Sequence, residues 1–216
     1  MRRFAFTLSE LLITLTIVGV VAVLTVPNVT KNVIAKANIT KLEATYKTLN
    51  DVINNMMIDE RVKDVRDSSL YTDKEYFFEH HIKVIDECEN HESCIKKGST
   101  ISDDKNNGMV MRACSSADTN ESFTIKLPSG AVVNFCPLTF ENPSSVGYFY
   151  VDVNGIAAPN RYGRDIFTLE LFKNGHAGYS PDYDYEITTE KCTQNGFYSG
   201  FYCFLLLEQN NWIMNY

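Results

Sequence analysis

The most constraining feature of this sequence is a run of 20 residues, Leu11 to Thr30, that contains no charged side chain. About 20 apolar residues in an α-helix are enough to cross a hydrocarbon core of roughly 30 Å, so the run predicts one membrane span. Arg2 and Arg3 precede it. Because basic residues stay on the cytoplasmic side, we expect the N-terminus there and the rest of the chain on the far side. A secretory signal peptide is the alternative, but its apolar core spans only about 7–15 residues and ends at a small-residue cleavage site.

The residues before and inside the run carry a resemblance to a known family. Arg2-Arg3-Phe4-Ala5 is followed by Phe6-Thr7-Leu8-Ser9-Glu10-Leu11-Leu12. This arrangement resembles the class III signal of type IV pilins and type II secretion pseudopilins, whose short basic leader is cut before the apolar helix. The resemblance implies cleavage between Ala5 and Phe6, N-methylation of Phe6, and an assembly role for Glu10, the fifth residue after the cut.

The resemblance covers roughly the first 30 residues, and two positions depart from the family pattern. Ala5 stands where glycine is usual, and Ser9 stands where an apolar residue is usual. Alanine is still small enough for the cleavage pocket, so we expect slower processing at most.

Glu10 is a carboxylate at the mouth of the apolar run. A carboxylate near hydrocarbon costs several kcal/mol unless it is paired or neutralised. In the family's filaments this glutamate pairs with the N-terminal amine of a neighbouring subunit, which here implies a pair between Glu10 and the amine of Phe6. The alternative is that Glu10 only extends to the lipid headgroups and has no part in assembly.

The resemblance also implies a function, a location and partners. The chain is expected to be a structural subunit and not an enzyme, in the bacterial inner membrane with a single pass, a cytoplasmic N-terminus and an extracytoplasmic head. Its implied partners are a prepilin peptidase and methyltransferase, an inner-membrane assembly platform, and other pilin or pseudopilin subunits in a homo- or hetero-filament. The filament is either a type II secretion pseudopilus or a type IV pilus.

Two other functions stay open at this point. The first is a membrane-tethered extracytoplasmic binding or enzymatic domain whose leader match is fortuitous. The second is a minor pilin for DNA uptake, which needs a basic patch, and Lys96-Lys97 is the only hint of one. Acidic residues outnumber basic ones 27 to 20, and loss of Arg2 and Arg3 takes the formal net charge from −7 to −9. Such a surface repels nucleic acid, so we expect no nucleic-acid partner.

Six cysteines lie beyond the apolar run, in the part expected to be exported, where disulfides are the default state. Pairs between cysteines close in sequence are preferred, although six cysteines allow 15 pairings. The preferred pairs are Cys88–Cys94 and Cys192–Cys203, which leaves Cys114 and Cys136. Zinc at Cys88, His91 and Cys94 is the alternative for the first pair.

Beyond Pro27 an apolar stripe with helical spacing predicts that one long helix runs from about Phe6 to about Asp59. The stripe consists of Ala35, Ile39, Leu42, Tyr46, Leu49, Ile53 and Met56. We therefore divide the chain into a leader (1–5), a transmembrane and assembly helix (6–30), an amphipathic helix that packs on the head (31–60), and an exported globular head (61–216).

The sequence of the head predicts an antiparallel sheet with few helices. Residues 61–72 are expected to form a loop, 73–86 a short helix capped by Thr72 or Asp73, and 198–209 an apolar helix. Alternating apolar residues predict a hairpin over 123–135 with a turn at Pro128-Ser129-Gly130. Further strands are expected around 149–153 and 167–171, and Asn174-Gly175 leads to a short fifth strand. A long N-terminal helix packed on a small antiparallel sheet gives an α+β class, which is also the pilin-like fold that the resemblance implies.

The segment from Asp152 to Asp165 is rich in oxygen donors and turn residues. Asp152, Asn154, Asn160 and Asp165 predict a structural calcium site, with Gly155 and Gly163 for tight turns. The alternative is a hydrogen-bonded turn without an ion, since the spacing is not that of an EF-hand.

Catalytic signatures such as G-x-S-x-G and H-E-x-x-H do not occur in this sequence. His176 follows a hairpin turn and is expected to be exposed. Tyr183 and Tyr185 predict either an edge for partner contact or a solvated loop.

Overall fold

The structure is a computed structural model, and it describes residues 7–88, 94, 122–138, 145–157, 159–179, 188–193 and 199–216. These residues form an α+β protein with a long N-terminal helix and a six-stranded antiparallel sheet. The chain divides into two compact units, Met1–Ala37 and Asn38–Tyr216. The predicted fold class is therefore confirmed.

Helix α1 spans Leu8–Asp59, close to the predicted bounds, and continues through Pro27. In the first unit its large apolar side chains, from Leu8 to Ile34, are exposed on all sides of the helix. A helix that is apolar all round needs an apolar surrounding, either a membrane or other helices. By length and composition α1 can cross a membrane, and none of its apolar window is buried within the chain.

In the second unit the same helix supplies one side of the core. Five members of the predicted stripe are buried there, namely Ile39, Leu42, Leu49, Ile53 and Met56. Tyr46 lies between them and is half-buried, and its hydroxyl donates to Glu208 Oε1 at 3.1 Å. Each fully buried side chain of this size contributes about 1.5–3 kcal/mol. The stripe thus anchors the second part of α1 to the sheet.

The sheet has the order β1-β2-β3-β4-β5-β6, and every neighbouring pair is antiparallel. Its strands are β1 (Asp86–Glu87), β2 (Phe123–Lys126), β3 (Val132–Pro137), β4 (Ser145–Asp152), β5 (Ile166–Phe172) and β6 (Ala177–Gly178). The predicted hairpin is β2–β3, with Gly130 at φ +81° in its turn. Strand β1 was not predicted, because two exposed acidic residues show no alternation.

A side chain of α1 extends the hydrogen bonding of the sheet at its β6 edge. Asn50 Nδ2 donates to the carbonyl of Ala177 at 2.8 Å, and the amide of Ala177 donates to Asn50 Oδ1 at 2.9 Å. An amide side chain that makes both bonds replaces the missing neighbouring strand at this residue. The edge strand is therefore held to the helix by polar as well as apolar contacts.

The remaining helices correct two sequence-based predictions. The expected loop 61–72 contains a 3-10 turn, Val65–Asp67, and the one-turn helix α2, Ser69–Thr72. Asp64, the residue before the 3-10 turn, caps it, since its Oδ1 accepts from the amide of Arg66 at 3.0 Å. Helix α3 spans only Lys74–His80, and Asp73 is its cap.

Two more helices lie near the C-terminus. Helix α4 (Thr189–Thr193) was not predicted, and α5 (Ser199–Gln209) is the expected apolar helix. Phe204 of α5 packs against Tyr46 with ring centroids 5.3 Å apart, and Trp212 packs against the same ring at 5.6 Å. The C-terminal segment therefore contacts the core half of α1.

Candidate functional site

The first turn of α1 holds Glu10 in a capping box. Glu10 Oε2 accepts from the amide and the hydroxyl of Thr7, each at 2.8 Å, and the amide of Glu10 donates to Thr7 Oγ1 at 3.2 Å. Reciprocal bonds of this kind satisfy two amides that a helix start otherwise leaves unpaired. Sequence reasoning missed the box, although Thr7-Leu8-Ser9-Glu10 before an apolar run is its signature. The cleavage and methylation positions, Ala5 and Phe6, lie outside the described residues.

The capping box adds a third explanation for Glu10, beside pairing with an amine and extension to the headgroups. A carboxylate at a helix start is also favoured by the helix dipole. Both side-chain bonds of the box are accepted by Oε2. An ionised carboxylate has about four acceptor positions, so the box and an amine partner are compatible.

A second candidate site lies where β4 ends and β5 begins. Asp152 closes the turn after β4, since its Oδ1 accepts from the amides of Asn154 at 3.1 Å and Gly155 at 2.9 Å. Gly155 has φ +63°, a left-handed conformation that glycine adopts without strain. This part of the segment is the Asx-type turn expected from its sequence.

Asp165 closes the other end of the loop. Its Oδ2 accepts from the amide of Asn160 at 2.8 Å, and its Oδ1 accepts from the amide of Arg161 at 2.6 Å. The Asn154 side chain also hydrogen-bonds to Asp165. The structure thus brings all four predicted oxygen-bearing residues together in one loop.

Both carboxylates of this loop are fully buried. Burial, and then the negative charge of Asp165, raise the pKa of Asp152 to about 7. Burial also raises the pKa of Asp165. Lys41 of α1 opposes this effect, because its positive charge lowers the pKa of Asp152, and its Nζ donates to the carbonyl of Val153 at 3.4 Å.

Two oxygens of the loop are buried without a hydrogen-bond partner among the residues that the structure describes. They are Asp152 Oδ2 and Asn160 Oδ1. An unsatisfied buried polar atom costs about 1–3 kcal/mol, so native proteins rarely leave one without a proton, water or ion nearby. Calcium at this loop stays a prediction.

The raised pKa of Asp152 predicts a pH dependence of stability in the presence of a chelator. Protonated Asp152 is favoured in the folded chain, so its contribution to stability is complete below the ordinary pKa of 3.8 and is lost as pH rises through about 7. The free energy of unfolding should therefore decrease across this window, by at most about 4 kcal/mol from this group.

The measurement is unfolding of the detergent-solubilised full-length chain between pH 4 and pH 8, beside Asp152→Asn, whose amide does not titrate. The decrease should be smaller in the variant. Equal pH profiles for the two chains would contradict a role for Asp152.

The cysteines form disulfides where the structure describes them. Cys88 is joined to Cys94 and Cys192 to Cys203, with Cα atoms 5.8 and 4.6 Å apart, and Cys136 is also disulfide-bonded. Sulfurs in a disulfide are not thiolate ligands, which excludes the zinc alternative at Cys88 and Cys94 in this state. Cys114 and His91 lie outside the described residues. In the described part of the chain, no three or more His, Cys, Asp or Glu side chains are grouped to hold a metal ion.

A polar cluster that sequence reasoning did not find joins the end of α1 to α2 and α3. Glu60 Oε2 accepts from the amide of Ser69 at 2.8 Å, its Oε1 accepts from the Ser69 hydroxyl, and His81 Nε2 lies 3.0 Å from the same Oε1. In a serine nucleophile site the hydroxyl bonds to the imidazole, whereas here the Ser69 hydroxyl bonds to the Glu60 carboxylate and the imidazole only lies beside the same oxygen, without a hydrogen bond to it. The cluster therefore has the arrangement of a structural link.

Two further predictions concern isolated side chains. His176 was expected to be exposed, but it is half-buried and its ring stacks on Phe172 with centroids 6.0 Å apart. Tyr183 and Tyr185, like Lys96-Lys97, fall outside the described residues.

Comparisons with family models, with curated proteins and with solved structures give no match. The chemistry of the chain's own residues is therefore the basis for a functional proposal.

Proposed function

We propose that this chain is a pilin-like structural subunit that is cut between Ala5 and Phe6 and assembled into a type II secretion pseudopilus or a type IV pilus. The observation that carries the proposal is the position of Glu10 in the first turn of α1, directly before 20 uncharged residues, among which the apolar side chains that the structure describes are exposed. The leader and Phe6 stand at the matching positions upstream.

The exposed apolar segment of α1 suits two apolar environments, the membrane before assembly and the filament afterwards. Before assembly it lies in the bacterial inner membrane as a single pass, with the N-terminus cytoplasmic and the head extracytoplasmic. In a filament, neighbouring α1 helices replace the lipid, since both are apolar surroundings.

The charges make this exchange specific. Cleavage creates a cationic amine on Phe6, one helical turn from Glu10. An amine and a carboxylate that leave water together cost less when paired than when either is alone. Pairing between subunits therefore fixes the register of one helix on the next.

The head is suited to the extracytoplasmic side. Its disulfides are stable in an oxidising compartment, and its acidic surface keeps unassembled subunits apart. The partners in this proposal are other pilin-like subunits, a prepilin peptidase and methyltransferase, and an assembly platform in the inner membrane.

Processing at Ala5 tests the proposal directly. Ala5→Trp should block cleavage, because the peptidase pocket accepts only a small residue, whereas Ala5→Gly should be cut at least as fast as wild type. Intact mass of each chain, coexpressed with an active or an inactive prepilin peptidase, measures the loss of residues 1–5 and the methylation of Phe6. An unchanged wild-type mass with the active peptidase would contradict the proposed function and favour a tethered binding or enzymatic domain.

A further inference from the structure

A pocket of about 120 Å³ lies where the turn before β5 meets helices α4 and α5. Two arginines, Arg161 and Arg164, line it, and none of the lining residues that the structure describes is acidic. The whole chain carries a formal net charge of −7, so the pocket is a local exception. A concave site lined by one sign of charge concentrates ions of the opposite sign.

The Arg164 guanidinium is held by contacts that do not neutralise its charge. Its Cζ lies 5.6 Å from the centre of the Tyr216 ring, and its Nη1 donates to Met214 Sδ at 3.4 Å. Among the described residues no carboxylate forms an ion pair with Arg164. A ring and a thioether thus fix the group in place, while most of its five N–H donors stay available to a ligand.

Tyr216 forms a neutral wall of the pocket. Its hydroxyl donates to the carbonyl of Gly163 at 3.0 Å, which fixes the ring. Burial raises the pKa of Tyr216, and the positive charge of Arg164 opposes this effect only in part. The phenol therefore stays protonated at neutral pH, and no phenolate competes with a ligand for the arginine.

Another wall of the pocket is rigid and adds to its positive field. The Cys192–Cys203 disulfide lines the pocket, and Gly163 packs so closely on it that an added Cβ would lie 2.2 Å from Cys203 Sγ. Ser199, the first residue of α5, lines the pocket as well. The start of a helix carries about half a positive charge and amides without intrahelical partners, so it favours the same ligands as the arginines.

We propose that this pocket binds a phosphate group, held by the guanidinium groups of Arg161 and Arg164 at the start of α5. A planar guanidinium matches the oxygens of phosphate with two parallel hydrogen bonds. Two arginines and a helix start supply more positive charge than one carboxylate balances, which favours the doubly charged phosphate. Pockets for drug-sized ligands measure roughly 300–1,000 Å³, so this smaller one suits a single small group.

The same phosphate chemistry occurs in free inorganic phosphate and in a phosphate ester, and the experiment separates these two sources. Isothermal titration of the detergent-solubilised full-length chain compares inorganic phosphate, glycerol 3-phosphate and acetate. Chloride keeps the ionic strength constant, because salt screens exposed charges. We expect one phosphate per chain, and acetate at least about tenfold weaker, because it carries one charge fewer. Binding of glycerol 3-phosphate would extend the site to esters, and binding of inorganic phosphate alone would restrict it to the free ion.

Variants of the two arginines test whether the anion lies in this pocket. Arg164→Gln should weaken phosphate binding about ten- to hundredfold, because it loses charge-assisted hydrogen bonds. Arg164→Lys keeps the charge but loses the fork, so its affinity should fall between the two. Arg161→Gln is an independent second variant, since the bond from the Arg161 amide to Asp165 belongs to the backbone and is kept. Lys47→Gln, an exposed position of α1, is the matched control for charge and should bind like wild type.

Three outcomes would overturn the proposal. One is the absence of saturable binding of either phosphate compound to wild type at millimolar concentration. Another is an equal loss of affinity in Arg164→Gln and Lys47→Gln, which would show a general effect of charge. The third is acetate binding as tightly as phosphate, which would exclude a site for a phosphate group. Filament assembly does not enter the measurement, so its result and that of the proposed function are separate.

Discussion

Glu10→Ala should be inserted and cut between Ala5 and Phe6 but should yield no filaments when it is the only copy of the subunit. Insertion depends on the apolar run, which the change leaves intact. In a filament, however, the Phe6 amine of a neighbour loses its partner. An unpaired buried charge costs about 3–5 kcal/mol, which lowers an assembly equilibrium by more than about a hundredfold.

The capping box offers a way to separate two roles of Glu10. Glutamine serves the box as well as glutamate does, so Glu10→Gln keeps the helix start but loses the charge. We expect Glu10→Gln to fail nearly as badly as Glu10→Ala. Thr7→Val is the matched control, because it removes the hydroxyl that bonds to Glu10 and keeps the carboxylate charge. It should weaken the helix start by about 0.5–2 kcal/mol and still assemble.

The assay compares the yield of sheared filaments with the amount of membrane-bound, processed subunit. Normal filament yield from Glu10→Ala would show that the pair does not drive assembly. Normal yield from Glu10→Gln together with failure of Glu10→Ala and Thr7→Val would assign Glu10 to the capping box alone.

Gly163→Ala should destabilise the head by about 2–5 kcal/mol or prevent the Cys192–Cys203 disulfide. Gly163 has φ +75°, and an added Cβ would lie 2.2 Å from Cys203 Sγ and 3.0 Å from Cys203 Cβ. A left-handed conformation costs an alanine roughly 1–2 kcal/mol, and overpacking of a filled site costs about 1–3 kcal/mol or more. The disulfide cannot move aside easily, because its other end is held by helix α4.

Gly130→Ala is the matched control for this prediction. Its φ is +81°, but nothing lies within 4 Å of an added Cβ. It should cost only the conformational part, roughly 1–2 kcal/mol. The measurements are thermal unfolding and thiol alkylation without reductant. Equal losses of stability in the two variants would show that the contact with Cys203 is unimportant.

Periodic features of this chain were predictable from sequence because their cause is local. The stripe on α1 repeats every three or four residues, which is enough to define a helix face. The hairpin β2–β3 likewise follows from alternation on both sides of one turn. The helix cap at Asp73 was also predictable, because its side chain accepts from the amide of Tyr76, only three residues away.

Features that join distant residues were missed, even where the residues themselves are conspicuous. Asn50 and Ala177 are 127 positions apart, and no pattern in either segment indicates the other. The Glu60 carboxylate contacts Ser69 and His81 only because α2 and α3 return to the end of α1. Strand β1 likewise exists only because β2 provides its hydrogen bonds.

The sequence by itself determined the apolar helix and the position of Glu10 at its start, because both depend on spacing along a short stretch of chain. It favoured the local cysteine pairs, and the structure confirmed Cys88–Cys94 and Cys192–Cys203 among the 15 possible pairings. Only the tertiary structure decided the environment of the Asp152 and Asp165 carboxylates. Their residue types allow a solvated turn or an ion site, and the choice depends on burial, which a sequence does not display. Both carboxylates are fully buried, and this burial, together with the charge of Asp165, raises the pKa of Asp152 to about 7. In an exposed loop water would hydrate these carboxylates. In this buried loop their negative charge requires a proton or a cation.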